Sequence, residues 1–338
     1  MKKFLSIILV LMLVFGLAAC GNDKADTPDD TNDGEETKDY ISESFNVGFL
    51  NGPTGIGAAY LMDQADKGNL ELNYKFTTES DASVIASAVI NEEIDVAAVP
   101  TNVAATLYNK TNGAVKIIAI NTMGVLHILE KGDTIKSIAD LEGKTIYATG
   151  QGANPEYVLN YILRENGLEP GEDVTIEYLA SEELTTKMAA GEIDICMLPV
   201  PAATTVLMKN EEVRDAINLT DEWNKVSDSE LTQGCIVART DKFDPRELKI
   251  FLDEYKESIE FMSNEDNIDD AAAMVVEYGI VASDAVAKQA IPQSGLTCVT
   301  GADEMKAQLA DYFQVLFDAD PTSVGGKVPD DGIYYEAK

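Results

Sequence analysis

Short apolar runs of five or six residues alternate along this chain with longer segments in which apolar residues recur at three and four positions. The first kind predicts buried strands, the second amphipathic helices. Residues 45–50 form the first such strand. It breaks at the Gly-rich stretch Asn51-Gly52-Pro53-Thr54-Gly55-Ile56-Gly57, ahead of a helix through residues 58–62. Residues 70–77 alternate apolar with polar as a second strand, and Ser80-Asp81 opens a helix running toward Asn91. The run 94–99 ends at Pro100, the pattern of a parallel strand buried on both faces. Residues 115–121 and 125–130 read as further strands. From Thr145 the order recurs: strand, turn at 150–155, helix through 157–163, strand at 174–179, a helix capped at Ser181, and an apolar run closed by Pro199 and Pro201. Residues 211–233 read as polar and irregular around Trp223, and 234–238 as a last short strand. The remainder is expected to be helical at 247–262, 267–278, 283–290 and 303–317. Strands alternating with helices place the chain in the α/β class.

The recurrence extends to residue identity. EIDVAAVPTNVAATLYNK at 93–110 and EIDICMLPVPAATTVLMK at 192–209 align without a gap, 99 positions apart. The pairs Glu93/Glu192, Ile94/Ile193, Asp95/Asp194, Pro100/Pro199, Ala104/Ala203, Thr106/Thr205 and Lys110/Lys209 are identical. The same offset lays 45–50 on 144–149 and one Gly-rich turn on the other. Two half-domains of one design are expected, with function between them.

Composition narrows the function classes. The chain has 338 residues, 45% hydrophobic, enough for two lobes with their own cores. Its 25 Lys and Arg face 59 Asp and Glu, a formal charge of −34. Such a surface argues against nucleic acid, whose phosphates require basic clusters, and against docking on anionic lipid. His127 is the only histidine, which excludes multi-histidine metal sites, and no GxSxG elbow is present. In its apolar strand, His127 is expected to be structural or to face a hinge. Asp95 and Asp194 start equivalent strands, away from the cleft, so they are expected to be structural and not a catalytic carboxylate pair. No catalytic residue, metal or cofactor is expected. Cys196, Cys235 and Cys298 are odd in number, without zinc-type spacing, and read as free thiols.

The first 20 residues form a targeting segment: Lys2-Lys3, an apolar run over 4–16, then Leu17-Ala18-Ala19-Cys20. This end resembles a bacterial lipobox, which implies cleavage before Cys20 and lipidation of that cysteine. Residues 21–44, with nine Asp or Glu and two Lys, have the composition of a disordered acidic tether about 25–30 Å in end-to-end distance.

Lipobox, acidic tether, two strand–turn–helix lobes and paired EID…P strands together resemble an ABC-transporter solute-binding lipoprotein of the type 2 periplasmic-binding-protein superfamily. IADLEGK at 138–144, GEIDICMLPVP at 191–201 and GCIVAR at 234–239 resemble the branch that binds taurine, alkanesulfonates and the thiamine pyrimidine precursor. The resemblance spans 45–338 and implies an α/β fold of two lobes, each a mainly parallel sheet flanked by helices. Lobe one would comprise 45–122 and 234–338, lobe two 123–233, with hinge crossovers near 121–123 and 232–235. It also implies a monomeric, extracytoplasmic receptor, anchored to the membrane through Cys20, that hands a small organic solute to an ABC permease and its ATPase. An enzyme of the same fold acting on a pyrimidine or menaquinone precursor is the alternative, as is the ligand-binding subunit of a membrane sensor.

In open α/β sheets ligands bind beyond the carboxyl ends of the strands. The resemblance therefore places the ligand-binding residues at Asn51, Gly52, Thr54, Gly55, Ser80, Asp81, Thr101 and Asn102 in lobe one. In lobe two it places them at Gln151, Gly152, Asn154, Ser181, Glu182, Glu183, Pro199 and Pro201. The Gly-rich turns either present backbone N–H groups to a ligand or merely allow tight bends. Asp81 is a helix cap first and a ligand acceptor second. Glu183 is an exposed helix start first. None of the four arginines (Arg164, Arg214, Arg239, Arg246) falls on these loops, which disfavours sulfate or nitrate and leaves aromatic, heteroaromatic or sulfonate-like solutes.

Overall fold

The computed structural model describes residues 44–336. The expected lipobox, Cys20 and the tether up to residue 43 lie outside these residues. The chain runs β1 (Phe45–Leu50), α1 (Pro53–Ile56), α2 (Ala59–Asp66), β2 (Tyr74–Glu79), α3 (Ala82–Ile90), β3 (Val96–Pro100), α4 (Thr101–Lys110) and β4 (Val115–Met123). It continues through β5 (Leu126–Lys131), β6 (Thr145–Ala148), α5 (Asn154–Glu165), β7 (Thr175–Tyr178), α6 (Ser181–Ala189), β8 (Ile195–Pro199), α7 (Ala202–Lys209), β9 (Val213–Asn218) and α8 (Leu219–Val226). The last part holds β10 (Thr232–Arg239), α9 (Pro245–Met262), α10 (Ile268–Glu277), α11 (Asp284–Ala290), β11 (Leu296–Val299) and α12 (Ala302–Ala319).

Two sheets result. The first has the order β2-β1-β3-β10-β4-β11 and the second β7-β6-β8-β5-β9. In each, three parallel strands are followed by one antiparallel strand, β10 or β5, and then by a strand antiparallel to that one. The duplication is therefore physical. Gly48 pairs with Ala97 in the first sheet, and Tyr147 with Cys196 in the second, each pair displaced by 99 residues from its counterpart. The central strands β3 and β8 are buried on both faces, which is why VAAVP and ICMLP read as unbroken apolar runs. Edge strand β2 has only half-buried and exposed side chains.

The antiparallel strands come from across the two sheets. β5 follows β4 by two residues yet joins the second sheet, and β10 returns from the second sheet to sit between β3 and β4. At the strand starts, Asp95 Oδ2 accepts from the backbone N and Nδ2 of Asn46 at 2.9 and 2.8 Å. The carbonyls of Asp95 and Asp194 accept from Arg239 N and Lys131 N, so each EID turn fastens one antiparallel strand. Only Asp95 uses its carboxylate in this way; Asp194 is exposed.

Three elements depart from the expectations. Residues 211–233 are not irregular: β9 is a short edge strand burying Val213 and Ile217, and α8 buries Leu219 and Trp223 four positions apart. Their many charges lie on the outward face and mask the pattern. β11 follows Gly295, so β10 is not the last strand. Gly295 is needed there because a Cβ would press on the Met123 backbone at 3.1–3.2 Å, at a φ of +56°. β2 lies at 74–79 and not at 70–77.

A continuous apolar core passes from the first sheet through α12 to α5 and α8. At its centre Trp223 is fully buried between Tyr161 and Tyr312, with ring centroids 4.9 and 5.3 Å away, and its Nε1 donates to Ser229 O at 2.6 Å. No helix among the described residues is long and apolar enough to cross a membrane.

Candidate ligand-binding cleft

The carboxyl ends of β3 and β4 and the start of β10 meet at three consecutive residues, Thr232, Gln233 and Gly234. Each touches a different element. Thr101, first residue of α4, donates its Oγ1 to Thr232 O at 2.9 Å. Asn154, first residue of α5, donates its Nδ2 to Gln233 O at 3.1 Å. Gly234 is crowded from the side of β4 and α1, since a Cβ there would lie 2.8 Å from both Asn121 Oδ1 and Thr54 Cγ2 and 3.2 Å from Thr122 Cβ. Asn121 in turn donates to Thr54 O at 3.4 Å and to Tyr255 Oη at 3.3 Å. Polar residues of β4, α1, α4 and α5 are thus gathered around one tripeptide of β10.

This tripeptide unites only part of the expected set. Thr54, Thr101 and Asn154 lie around it and are buried. Asn102 follows Thr101, is 5% exposed, and its Oδ1 has no hydrogen-bond partner among the described residues. Gly55 fits a backbone approach, because a Cβ would collide with the carbonyl of Leu50. Gly52 caps α1 at a φ of +114°, a conformation that favours glycine. Asn51 and Ser80 form a separate exposed pair, Nδ2 to Oγ at 3.2 Å. Asp81 caps α3 by accepting from Ser83 N at 2.8 Å, and this backbone bond holds its carboxyl below the usual range.

In the second half, Gln151 and Gly152 are exposed, and Gly152 N donates to Glu156 at 2.5 Å. Ser181 begins α6, with Glu182 and Glu183 exposed in its first turn, and Glu183 pairs with Lys187 at 3.5 Å. Pro199 and Pro201 flank Val200, which packs with Val125 and Ala290 and so joins the end of β8 to α11 of the first half.

The loop-based expectation missed Asn121, Thr122, Thr232 and Gln233, which sit inside strands. Their signal is local: in VKIIAINTM and TQGCIVAR, polar residues lie at the strand ends that meet at the same end of the sheet. The side-chain atoms Asn121 Oδ1, Thr122 Oγ1, Asn154 Oδ1, Thr232 Oγ1 and Gln233 Nε2 are all buried without a partner among the described residues. Each such group costs roughly 1–3 kcal/mol, and all five belong to residues at or beside Thr232–Gly234.

Comparison with known proteins follows from this geometry. The sequence profile described as "NMT1/THI5 like" matches residues 67–267, more than half of the chain. The chain belongs to the NMT1/THI5-like family. A search of curated proteins found no match. Among solved structures, an ABC transporter protein from Parabacteroides distasonis is similar at a TM-score of 0.73 and 22% identity, over 89% of this chain and 100% of the other. The periplasmic aliphatic sulphonate binding protein SsuA of Escherichia coli is similar at 0.70 and 16%, over 88% and 93%. The alkanesulfonate-binding protein SsuA from Xanthomonas axonopodis, solved with MOPS, is similar at 0.64 and 14%, over 86% and 96%. At these identities the likeness establishes the fold of this NMT1/THI5-like chain, a two-lobed periplasmic-binding-protein fold.

Proposed function

We propose that this chain is the extracytoplasmic solute receptor of an ABC importer, tethered to the membrane by a lipid on Cys20. The observation that carries the reading is the cluster at Thr232–Gly234. Strand residues of the first sheet meet Asn154 of α5 there, beside the two crossovers that join the sheets. A solute bound at that point contacts both lobes, and those contacts favour the closed arrangement over the open one. The solved neighbours include an ABC transporter protein and sulphonate-binding proteins, which agrees with a receptor role. Aromatic, heteroaromatic or sulfonate-like solutes are the proposed ligands.

Binding without catalysis is favoured by what the reactive side chains do. His127 is buried and its Nδ1 lies 2.9 Å from Asp215 Oδ2 on the neighbouring strand. Burial pushes the thiols of Cys196 and Cys235 up to about 12, so neither supplies a thiolate near neutral pH. The test is a thermal-shift and small-angle X-ray scattering screen of the full chain against small solutes. A binder is expected to raise the Tm and reduce the radius of gyration. Turnover of a solute without compaction would replace this reading with an enzyme.

A further inference from the structure

Two apolar contacts join the halves, and they differ in kind; what they imply for closure rests on the receptor reading. The first sets Trp223 against Tyr312. It belongs to the continuous core, and the indole also donates to Ser229 O. The second is a satellite separate from the larger clusters, formed by Val125, Val200 and Ala290 at 4%, 0% and 0% exposure. Ala290 ends α11. Its helix neighbours Val286 and Ala287 pack with Ile56 and Ala59 into the first half. Ser294 Oγ donates to Ala290 O at 2.8 Å, and Gly295 O accepts from Met123 N at 2.8 Å, so this end of α11 is fixed to the end of β4. Val200 lies between β8 and α7 in the second half. The prolines on either side restrict its backbone, and its N–H donates to Val125 O at 3.0 Å. α7 packs beside α11 across the same boundary.

We infer that Trp223 and Tyr312 form the pivot of the two lobes, and that Val200 against Ala290 is a latch that holds them together through the protein's own atoms. The chemistry of each contact suits its part. Only aliphatic side chains meet at the latch, so separating them strands no buried hydrogen-bonding side chain. Parting Trp223 from Tyr312 would break a large aromatic contact inside the core. A bound solute then adds its contacts to an equilibrium already biased toward closure.

The experiment is small-angle X-ray scattering of the full chain with no solute added. Val200→Ala removes two buried methyl groups and is expected to raise the open-to-closed ratio about tenfold, read as a larger radius of gyration. Val200→Ala combined with Ala290→Val returns those methyl groups from the other side of the contact and is expected to restore the radius. Where the alanine variant unfolds, Val200→Thr keeps the side-chain shape, places a hydroxyl in the contact and is expected to enlarge the radius in the same direction. Trp223 is the only tryptophan, so its emission reports on the pivot and should stay unchanged throughout. An unchanged radius in the folded single variant, or a double variant that fails to restore it, overturns the latch. A shift in Trp223 emission accompanying the larger radius would mean that the whole core had loosened, and overturns it too. Because no solute takes part, each of these outcomes leaves the receptor reading to the solute screen.

Discussion

Two acidic residues show what a side chain's surroundings decide. Glu130 is 2% exposed, and burial pushes its carboxyl up. Bonds from Thr134 Oγ1 and N, from Ile135 N and from Arg214 outweigh that and bring it from an ordinary 4.5 down to about 2. Because the folded value lies below the unfolded one, its stabilisation is full above about pH 4.5 and is lost as the pH falls toward 2. Glu130→Gln is expected to cost roughly 2–3 kcal/mol at pH 7. In urea titrations that difference should shrink steadily below pH 4.5, and a constant difference would refute the assignment. Asp81, by contrast, is an exposed cap, as its place before α3 foretold. Asn51 and Asn154, both expected on cleft loops, also separate. Asn51→Ala should leave the Tm of the empty protein within about a degree, because its bond to Ser80 is solvent-exposed. Asn154→Ala should lower it by several degrees, because the lost bond to Gln233 O is part-buried. The loop positions were readable because the repeat locates strand ends. Asn121 and Gln233 were not, because a polar residue within a strand does not declare which neighbour it faces.

At the scale of elements, legibility followed charge density. Strands β3 and β8 and helices α9 and α12 carry strong apolar patterns and emerged with nearly correct bounds. β9 and α8 did not, since Arg214, Asp215, Asp221, Glu222 and Lys225 outnumber the few apolar anchors. Yet α8 holds the side chain that links the two halves of the core. Trp223 lies between Tyr161 of α5 and Tyr312 of α12, and its ring buries more apolar area than any other residue type supplies. Trp223→Ala is expected to cost about 3–5 kcal/mol. Trp223→Phe, which keeps the ring and loses the bond to Ser229 O, should cost about 1–2 kcal/mol. Equal costs for the two would mean that the hydrogen bond, and not the ring, secures α8. Denaturant unfolding separates these outcomes.

For the whole molecule, the duplication was plain in the 99-residue offset, while the exchange of β5 and β10 is absent from the hydrophobic pattern, where both are ordinary apolar runs. The exchange makes the two crossovers neighbours. Gly124, between β4 and β5, has no room for a side chain: a Cβ would collide with Thr220 Oγ1 and lie 3.0 Å from Leu231 Cδ2, just before β10. The outgoing and returning connections therefore touch at one point, where the hinge closure proposed above would be felt. Gly124→Ala should force them apart and lower stability by about 1–3 kcal/mol. It should also alter solute affinity, even though residue 124 is remote in sequence from the Asn154 and Thr101 contacts. If sterics at the crossover are the cause, Gly124→Ala combined with Thr220→Ala recovers both stability and affinity, while Thr220→Ala alone changes little. Recovery of stability without recovery of affinity would mean that the crossover supports the fold but does not govern closure. Urea unfolding and solute titration of the four proteins decide between these possibilities.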